Sequence, residues 1–256
     1  MICFTMPRRT VDLNADMGEA RGNDATLAGL VTSANVACGF HAGDPMTMRA
    51  TVDAAVRAGI AVGAHPGYPD PRGFGRRDLA ASAAEITADV LYQIGALQAV
   101  CHAAGTRVRY VKPHGALYNR AAKDVAAATA IAEAIRLADS SLVLLGLAGS
   151  LMIDVARDAG LAAAQEAFAD RAYSSDGTLV ARSIPGSVLT DPMIVAARAV
   201  RMMTSGEVET LEGSTIRLRA DSLCVHGDTP GALDIVRAVR RALTERGLIL
   251  SPFANA

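Results

Sequence analysis

Short β-branched or apolar runs alternate with Ala-rich windows of helical character along the chain. The runs predict strands at Thr10–Asn14, Val31–Ala37, Ile60–Ala64, Arg109–Lys112, Leu142–Leu147, Ala162–Phe168 and Ser222–His226. The windows between them predict helices at Pro45–Ala58, Asp78–Ala104, Ala121–Ala138, Ser150–Ala159, Asp191–Thr204 and Pro230–Arg246. Asp44 before Pro45 reads as an N-cap followed by proline at the first helical position, and Gly59 and Gly105 read as helix stops. Alternation of strand and helix implies parallel strands joined by right-handed crossovers. Seven such strands without a linker predict one α/β domain over residues 1–256, a seven-stranded parallel β/α barrel. The Gly- and Pro-punctuated segment Asp176–Leu189 breaks the rhythm and reads as a hairpin or lid over one mouth. A further β-like piece, Thr215–Arg219, has no evident place in the barrel.

Composition narrows the function classes. Hydrophobic residues make up 51% of the 256 and aromatics only 4%, with no Trp, so the core must be built from Ala, Val, Leu and Ile. Small side chains of this kind suit helices packed closely on a sheet. A formal net charge of −1 supplies no field to attract nucleic acid or an anionic membrane. Cys3, Cys38, Cys101 and Cys224 are scattered, with no C-x-x-C pair, so neither a structural zinc nor a disulfide framework is signalled and a reducing cytoplasm fits. No apolar run is long enough to span a bilayer and no export signal is visible, so a soluble cytoplasmic protein is expected. Lysine occurs only at Lys112 and Lys123, which makes Lys112 conspicuous.

Candidate chemistry sits in five polar runs directly after strand-like segments: Asp12–Glu19, Gly39–Pro45, Gly63–Asp70, Lys112–Asn119 and Cys224–Asp228. Four of the five histidines fall inside them. In a parallel barrel the reactive groups stand at the C-terminal strand ends, so side chains from separate strands would converge on one pocket. These are Asp12, Asn14 and Asp16 from the first strand, Asn35 and His41 from the second, His65 from the third, and Lys112 and His114 from the fourth. Glu166, Asp170 and Arg171 come from the sixth, and His226 and Asp228 from the last.

Each of these has an ordinary structural explanation. A single His beside Gly or Pro at a strand end is more often a turn or capping residue than a functional one; four in corresponding positions shift the balance. His102 lies in an Ala-rich helix and has no expected part in catalysis, and Asp12, at a strand start, reads as structural. Lys112 is either a solvated strand-end charge or a group that neutralises an oxyanion or substrate carboxylate. The loop Pro69–Arg77 carries Arg72, Arg76 and Arg77, equally suited to gripping a carboxylate or phosphate and to standing in solvent. Asp16, His41, His65 and His226 could supply metal ligands from different strands, but their spacing implies no metal and none is assigned. No G-x-x-x-x-G-K-[ST] run occurs, so a standard phosphate-binding loop is absent from the sequence.

Taken together, Leu13–Glu19, Ala34–Pro45, Gly63–Asp70, Gly73–Arg77, Val111–Asn119, Phe168–Tyr173 and Cys224–Thr229 resemble the LamB/YcsF family over nearly the whole chain. Two departures stand out: Ala15 replaces the family's usual Cys, and the stretch between Glu19 and Asn35 is shorter than usual. The resemblance implies a barrel of the glycoside hydrolase/deacetylase type. It also implies the role of the A subunit of an ATP-dependent 5-oxoprolinase, acting with the B and C subunits. The reaction would convert 5-oxo-L-proline, ATP and water to L-glutamate, ADP and phosphate, with ATP as co-substrate alongside magnesium. On that basis Asp16, Glu19 or His41 would be the general base, with Lys112 and Arg171 holding the substrate carboxylate or the transferred phosphate. His65, His114 and His226 would orient the activated lactam or protonate its nitrogen, and Asn14, Asn35 and Arg76 would complete the substrate contacts. Two other functions fit the same residues: a metal-dependent amide or N-acetyl hydrolase, and a non-catalytic subunit that presents 5-oxoproline to a partner.

Overall fold

Strand β1 (Thr10–Met17) shows how the sequence builds the molecule. Side chains alternate across a strand, and here Val11, Leu13, Ala15 and Met17 join the apolar core while Asp12, Asn14 and Asp16 turn into the barrel. Next come α1 (Asp24–Ala28), β2 (Ser33–Ala37), α2 (Pro45–Ala58), β3 (Ala61–His65), a 3-10 turn at Pro71–Gly73, α3 (Ala83–Ala103) and β4 (Val108–Val111). They are followed by α4 (Gly115–Ala121), α5 (Val125–Ala138), β5 (Val143–Leu147), α6 (Leu151–Asp158) and β6 (Ala163–Phe168). The last third holds α7 (Pro192–Ser205), β7 (Glu207–Glu209), β8 (Thr215–Arg217), β9 (Ser222–Cys224), α8 (Ala232–Glu245) and β10 (Ile249–Leu250). The structure, a computed structural model, describes residues 10–226 and 231–254; Cys3, Asp228 and the predicted helix start at Pro230 lie outside them.

Strands pair in the order β1, β2, β3, β4, β5, β6, β9 and back to β1, every pair parallel. The closed seven-stranded barrel is therefore the predicted one. β10 adds to the start of β1, pairing Thr10 with Ile249. The piece at Thr215 proves to be one arm of an antiparallel hairpin, β7 with β8, outside the barrel. Segment 176–189 forms no regular hairpin; isolated bridges tie Arg171 to Val188 and Tyr173 to Leu179.

Helix boundaries follow local chemistry. Asp44 caps α2 as predicted, accepting from the Thr47 amide at 2.7 Å, and Gly59 closes it at φ 66°. Helix α3 starts later than predicted because Ser82 and Glu85 form a reciprocal capping box. The predicted helix Ala121–Ala138 is two: Asp124 accepts from the amides of Ala126 and Ala127 and starts α5 afresh. Its buried face, which includes Ala127, Ala130, Ile131, Ala134 and Ile135, is small enough to lie close against α3. No helix among the described residues is long and apolar enough to cross a membrane.

The barrel interior is polar. At its floor Asp12 accepts from Thr32 and Ser33, each at 2.6 Å, and from Ser222. Above it Asn14 donates to Ser222 at 2.7 Å and to Glu166 at 3.0 Å, and Asn35 donates to Asn14 at 2.7 Å and to Asp16 at 2.8 Å. Tyr110 donates to Asn35 at 2.7 Å, its ring lying over Gly63, where any side chain would collide with it. Each amide in this column has partners on both its oxygen and its nitrogen, which makes a buried polar interior tolerable.

Candidate active site

Lys112, just past β4, is the hub. Its ammonium lies 2.8 Å from Glu166 Oε1, 2.9 Å from Asp16 Oδ1, 3.2 Å from Cys224 Sγ and 3.4 Å from Asn14 Oδ1. Burial opposes its charge, but Asp16, Cys224 and Glu166 outweigh that and hold its pKa well above the ordinary lysine value. Glu166 also accepts from the Tyr118 hydroxyl at 2.8 Å. Burial likewise acts to raise the pKa of Asp16. The facing His65 and Lys112, with His226 behind them, prevail and hold it well below the usual carboxylate range.

Three imidazoles adjoin this group. His65 Nδ1 lies 2.7 Å from the Lys112 carbonyl oxygen, and His114 Nε2 lies 2.9 Å from that of Phe74. A carbonyl oxygen only accepts, so both nitrogens carry hydrogen. The two remaining nitrogens, His65 Nε2 and His114 Nδ1, face each other at 2.9 Å. His41 stacks on His114 with ring centroids 3.7 Å apart and planes within 4°. Burial, then the neighbouring imidazoles, hold His41 and His114 well below the ordinary histidine pKa. Glu19 completes the group, with Oε1 at 3.5 Å from His41 Nε2 and 3.6 Å from His114 Nδ1.

Backbone geometry holds these rings in place. Ala20, next to Glu19, and Phe74, whose carbonyl fixes His114, have φ of 58° and 55° and are the non-glycine residues with positive φ among those described. Such conformations cost about 1–3 kcal/mol each and persist where the surroundings dictate them. Gly75 is at φ 63°, and a Cβ on it would lie 2.7 Å from His41 Cβ and 3.0 Å from His114 Cδ2.

Across the barrel mouth, the Asp170 carboxylate accepts the His226 backbone N–H at 3.1 Å and faces its Nδ1 at 2.9 Å. Asp170 thus accepts a hydrogen bond from Nδ1–H, which fixes the tautomer and leaves Nε2 directed at Asp16 Oδ2, 4.0 Å away. A cavity of about 330 Å³ opens above, lined by Asp16, His65, Lys112, His114, Tyr118, Phe168 and His226, with Arg76, Arg171 and Arg182 also in its wall. Leu179, Ala181, Arg182 and Ser183 show that segment 176–189 forms one side of it.

The LamB/YcsF family model matches residues 11–256. The chain belongs to the LamB/YcsF family. It is 53% identical over 252 residues to a 5-oxoprolinase A subunit, the one numbered 3, of Pseudomonas syringae pv. tomato, covering 96% of this chain and 98% of the relative. It is 55% identical over 249 residues to the 5-oxoprolinase A subunit of Paracidovorax citrulli, covering 95% and 99%. The solved structure of a lactam utilization protein from Thermus thermophilus superposes with a TM-score of 0.90 at 49% identity, covering 95% of this chain and all of that one.

The family motifs separate into distinct positions. Asp16, His65, Lys112, His114, Arg76, Arg171 and His226 reach the cavity. Glu19 and His41 are buried behind His114, and Asn14 and Asn35, expected to touch substrate, are fully buried beneath Asp16 and Lys112 and position them. Arg171 lines the cavity but donates to the carbonyls of Val180 at 2.6 Å and Ser187 at 3.3 Å, so it braces segment 176–189. The arginine loop divides: Arg76 faces the cavity, whereas Arg77 pairs with Asp70. Ala15 points into the apolar core, so a side chain at this position does not face the cavity. Sequence reasoning overlooked Tyr118, whose only signal was its place one helical turn after His114, and Cys224 as a neighbour of Lys112.

Proposed function

We propose that this chain is the A subunit of an ATP-dependent 5-oxoprolinase, the component in which the lactam ring opens. The observation that carries the reading is the Asp170–His226 pair, aimed at Asp16 across a cavity whose wall holds three arginines. The names of close relatives support the substrate. Arg76 and Arg182 are the groups suited to the carboxylate of 5-oxo-L-proline, since Lys112 is committed to Asp16 and Glu166.

A lactam is a resonance-stabilised amide and a poor electrophile. Transfer of the terminal phosphoryl group of ATP, with magnesium, to the lactam oxygen makes C5 open to attack by water. His226 Nε2 takes a proton from that water and returns one to the ring nitrogen as the C–N bond breaks. C–N cleavage leaves an acyl phosphate at C5, and a second water hydrolyses it to phosphate and the side-chain carboxylate of L-glutamate. Asp16 is a weaker base for this step because its charge is stabilised by Lys112, so it orients rather than abstracts. A cavity of about 330 Å³ lies at the small end of ligand sites, roughly 300–1,000 Å³. It suits the lactam and leaves the nucleotide to the partner B and C subunits.

The deciding experiment measures glutamate and phosphate release by this chain with and without the B and C subunits. Release only in their joint presence, and its loss when this chain is omitted, is the expected result. ATP-independent hydrolysis by the chain alone would instead make it a simple amide hydrolase. Lactam binding with turnover insensitive to changes at Asp170 and His226 would leave it a presenter of substrate only.

A further inference from the structure

We propose that Glu19, His41, His65 and His114 form a binding site for one divalent transition-metal ion, built from three imidazole nitrogens and one carboxylate oxygen. The site stands on geometry and does not depend on the lactam reading.

Hydrogen positions define the problem. His65 and His114 each spend their N–H on a backbone carbonyl, so in the neutral state two lone pairs face each other at 2.9 Å. That contact is repulsive unless something positive lies between or beside them. A proton would satisfy this one pair. It would do nothing for His41, which is 1% exposed and makes no hydrogen bond at either ring nitrogen among the described residues. Buried polar atoms are normally satisfied, and an exception calls for an explanation.

A cation explains all four groups together. Donor atoms of Glu19, His41, His65 and His114 lie within 4.8 Å of one another. With metal–ligand bonds of about 2.0–2.1 Å, a separation of 2.9 Å subtends an angle of about 90° at the ion, and 3.5–3.6 Å an angle of roughly 120°, both ordinary for a four- or five-coordinate site. The carbonyls that fix His65 and His114 are the partners that metal-bound imidazoles commonly have on their other nitrogen. Positive φ at Ala20 and Phe74 shows backbone strain at the two places that aim Glu19 and His114. Imidazole-rich donors favour zinc, cobalt, manganese or iron over magnesium or calcium. Once bound, such an ion supplies Lewis acidity next to the cavity that His65 and His114 line.

A second cluster, Asp16, Cys224 and His226, is the competing location. The Lys112 ammonium, 3.2 Å from Cys224 Sγ and 2.9 Å from Asp16, already occupies its centre with positive charge. The two locations differ in donor type, and cobalt distinguishes them. The full chain, stripped of metal, is titrated with Co2+ and followed by visible absorption and by metal analysis. One equivalent, with ligand-field bands and no thiolate charge-transfer band, is expected. Glu19→Gln and His114→Ala should each weaken binding at least about 100-fold, more than loss of a supporting partner does. Anomalous diffraction at the cobalt edge on wild-type crystals gives the same answer without relying on a variant to fold. Absence of saturable binding, a thiolate band, or an ion located at Cys224 would each overturn the assignment.

Discussion

Asp12 and Asp16 are four residues apart on β1, point into the same barrel, and are both buried, yet their carboxyls behave oppositely. Burial pushes Asp12 up to about 6, and the hydroxyls of Ser222, Ser33 and Thr32 only partly offset it. Asp16 is equally enclosed, but the imidazole of His65 and the ammonium of Lys112 hold it well below the usual range. Hydroxyls orient a carboxylate; a cation stabilises its charge. The floor of the barrel is thus a structural polar plug, and the rim, about 13 Å further along the strand, is where charge is kept.

The largest effect should follow from removing the cation. Lys112→Met leaves Asp16 and Glu166 buried without their shared counter-charge. A loss of about 3–5 kcal/mol in denaturant unfolding is expected for a broken buried pair, together with abolished glutamate formation in the reconstituted complex. Near-normal turnover would remove Lys112 from the site and erase the contrast between floor and rim.

Asp170→Asn tests the rim more gently. The amide keeps an oxygen for His226 Nδ1 but loses the charge that sets the tautomer and supports the imidazolium. Turnover should fall by about 10²–10⁴, the usual contribution of a general acid–base group. Unfolding free energy should change far less than for Lys112→Met. Equal losses in both measurements would mark the pair as scaffolding.

These pairs also show what the sequence could reveal. Alternating Asp12, Asn14 and Asp16 against Val11, Leu13, Ala15 and Met17 states a strand with one polar face, and four histidines after apolar runs state a functional rim. Short-range capping at Asp44 was equally readable, because donor and acceptor lie three residues apart. By contrast, Asp170 meets His226 across 56 residues, Tyr118 meets Glu166 across 48, and Asn14 meets Glu166 across 152. Nothing local marks such partners; barrel closure creates them. The same holds for His41, whose loop was conspicuous but whose place behind His114 depends on Gly75 leaving room.

At the floor, Asp12→Asn should leave turnover intact and change only how stability depends on pH. A carboxyl whose folded pKa lies above its ordinary 3.8 contributes stability fully below that value and loses it as pH rises through about 6. The neutral amide has no such dependence. The variant should therefore gain on wild type between pH 4 and pH 6, by an amount of order 2–3 kcal/mol for a shift of this size. A wild-type stability that rises over this interval relative to the variant would mean that Asp12 is held like Asp16.

The smallest change isolates one hydroxyl. Ser33 donates to Asp12 Oδ1 at 2.6 Å and favours the charged carboxylate. In Ser33→Ala the Asp12 pKa should rise further, so the loss of stability with pH extends above 6. The cost should be about 1 kcal/mol at pH 7, the usual net worth of a hydrogen bond, and smaller at pH 4, where Asp12 is already protonated in the folded state. Unfolding free energies of both proteins at the two pH values provide the check, with turnover as the control. A cost independent of pH would mean that Ser33 serves packing in β2 rather than the charge on Asp12, and the floor would then owe its carboxylate to Ser222 and Thr32 alone.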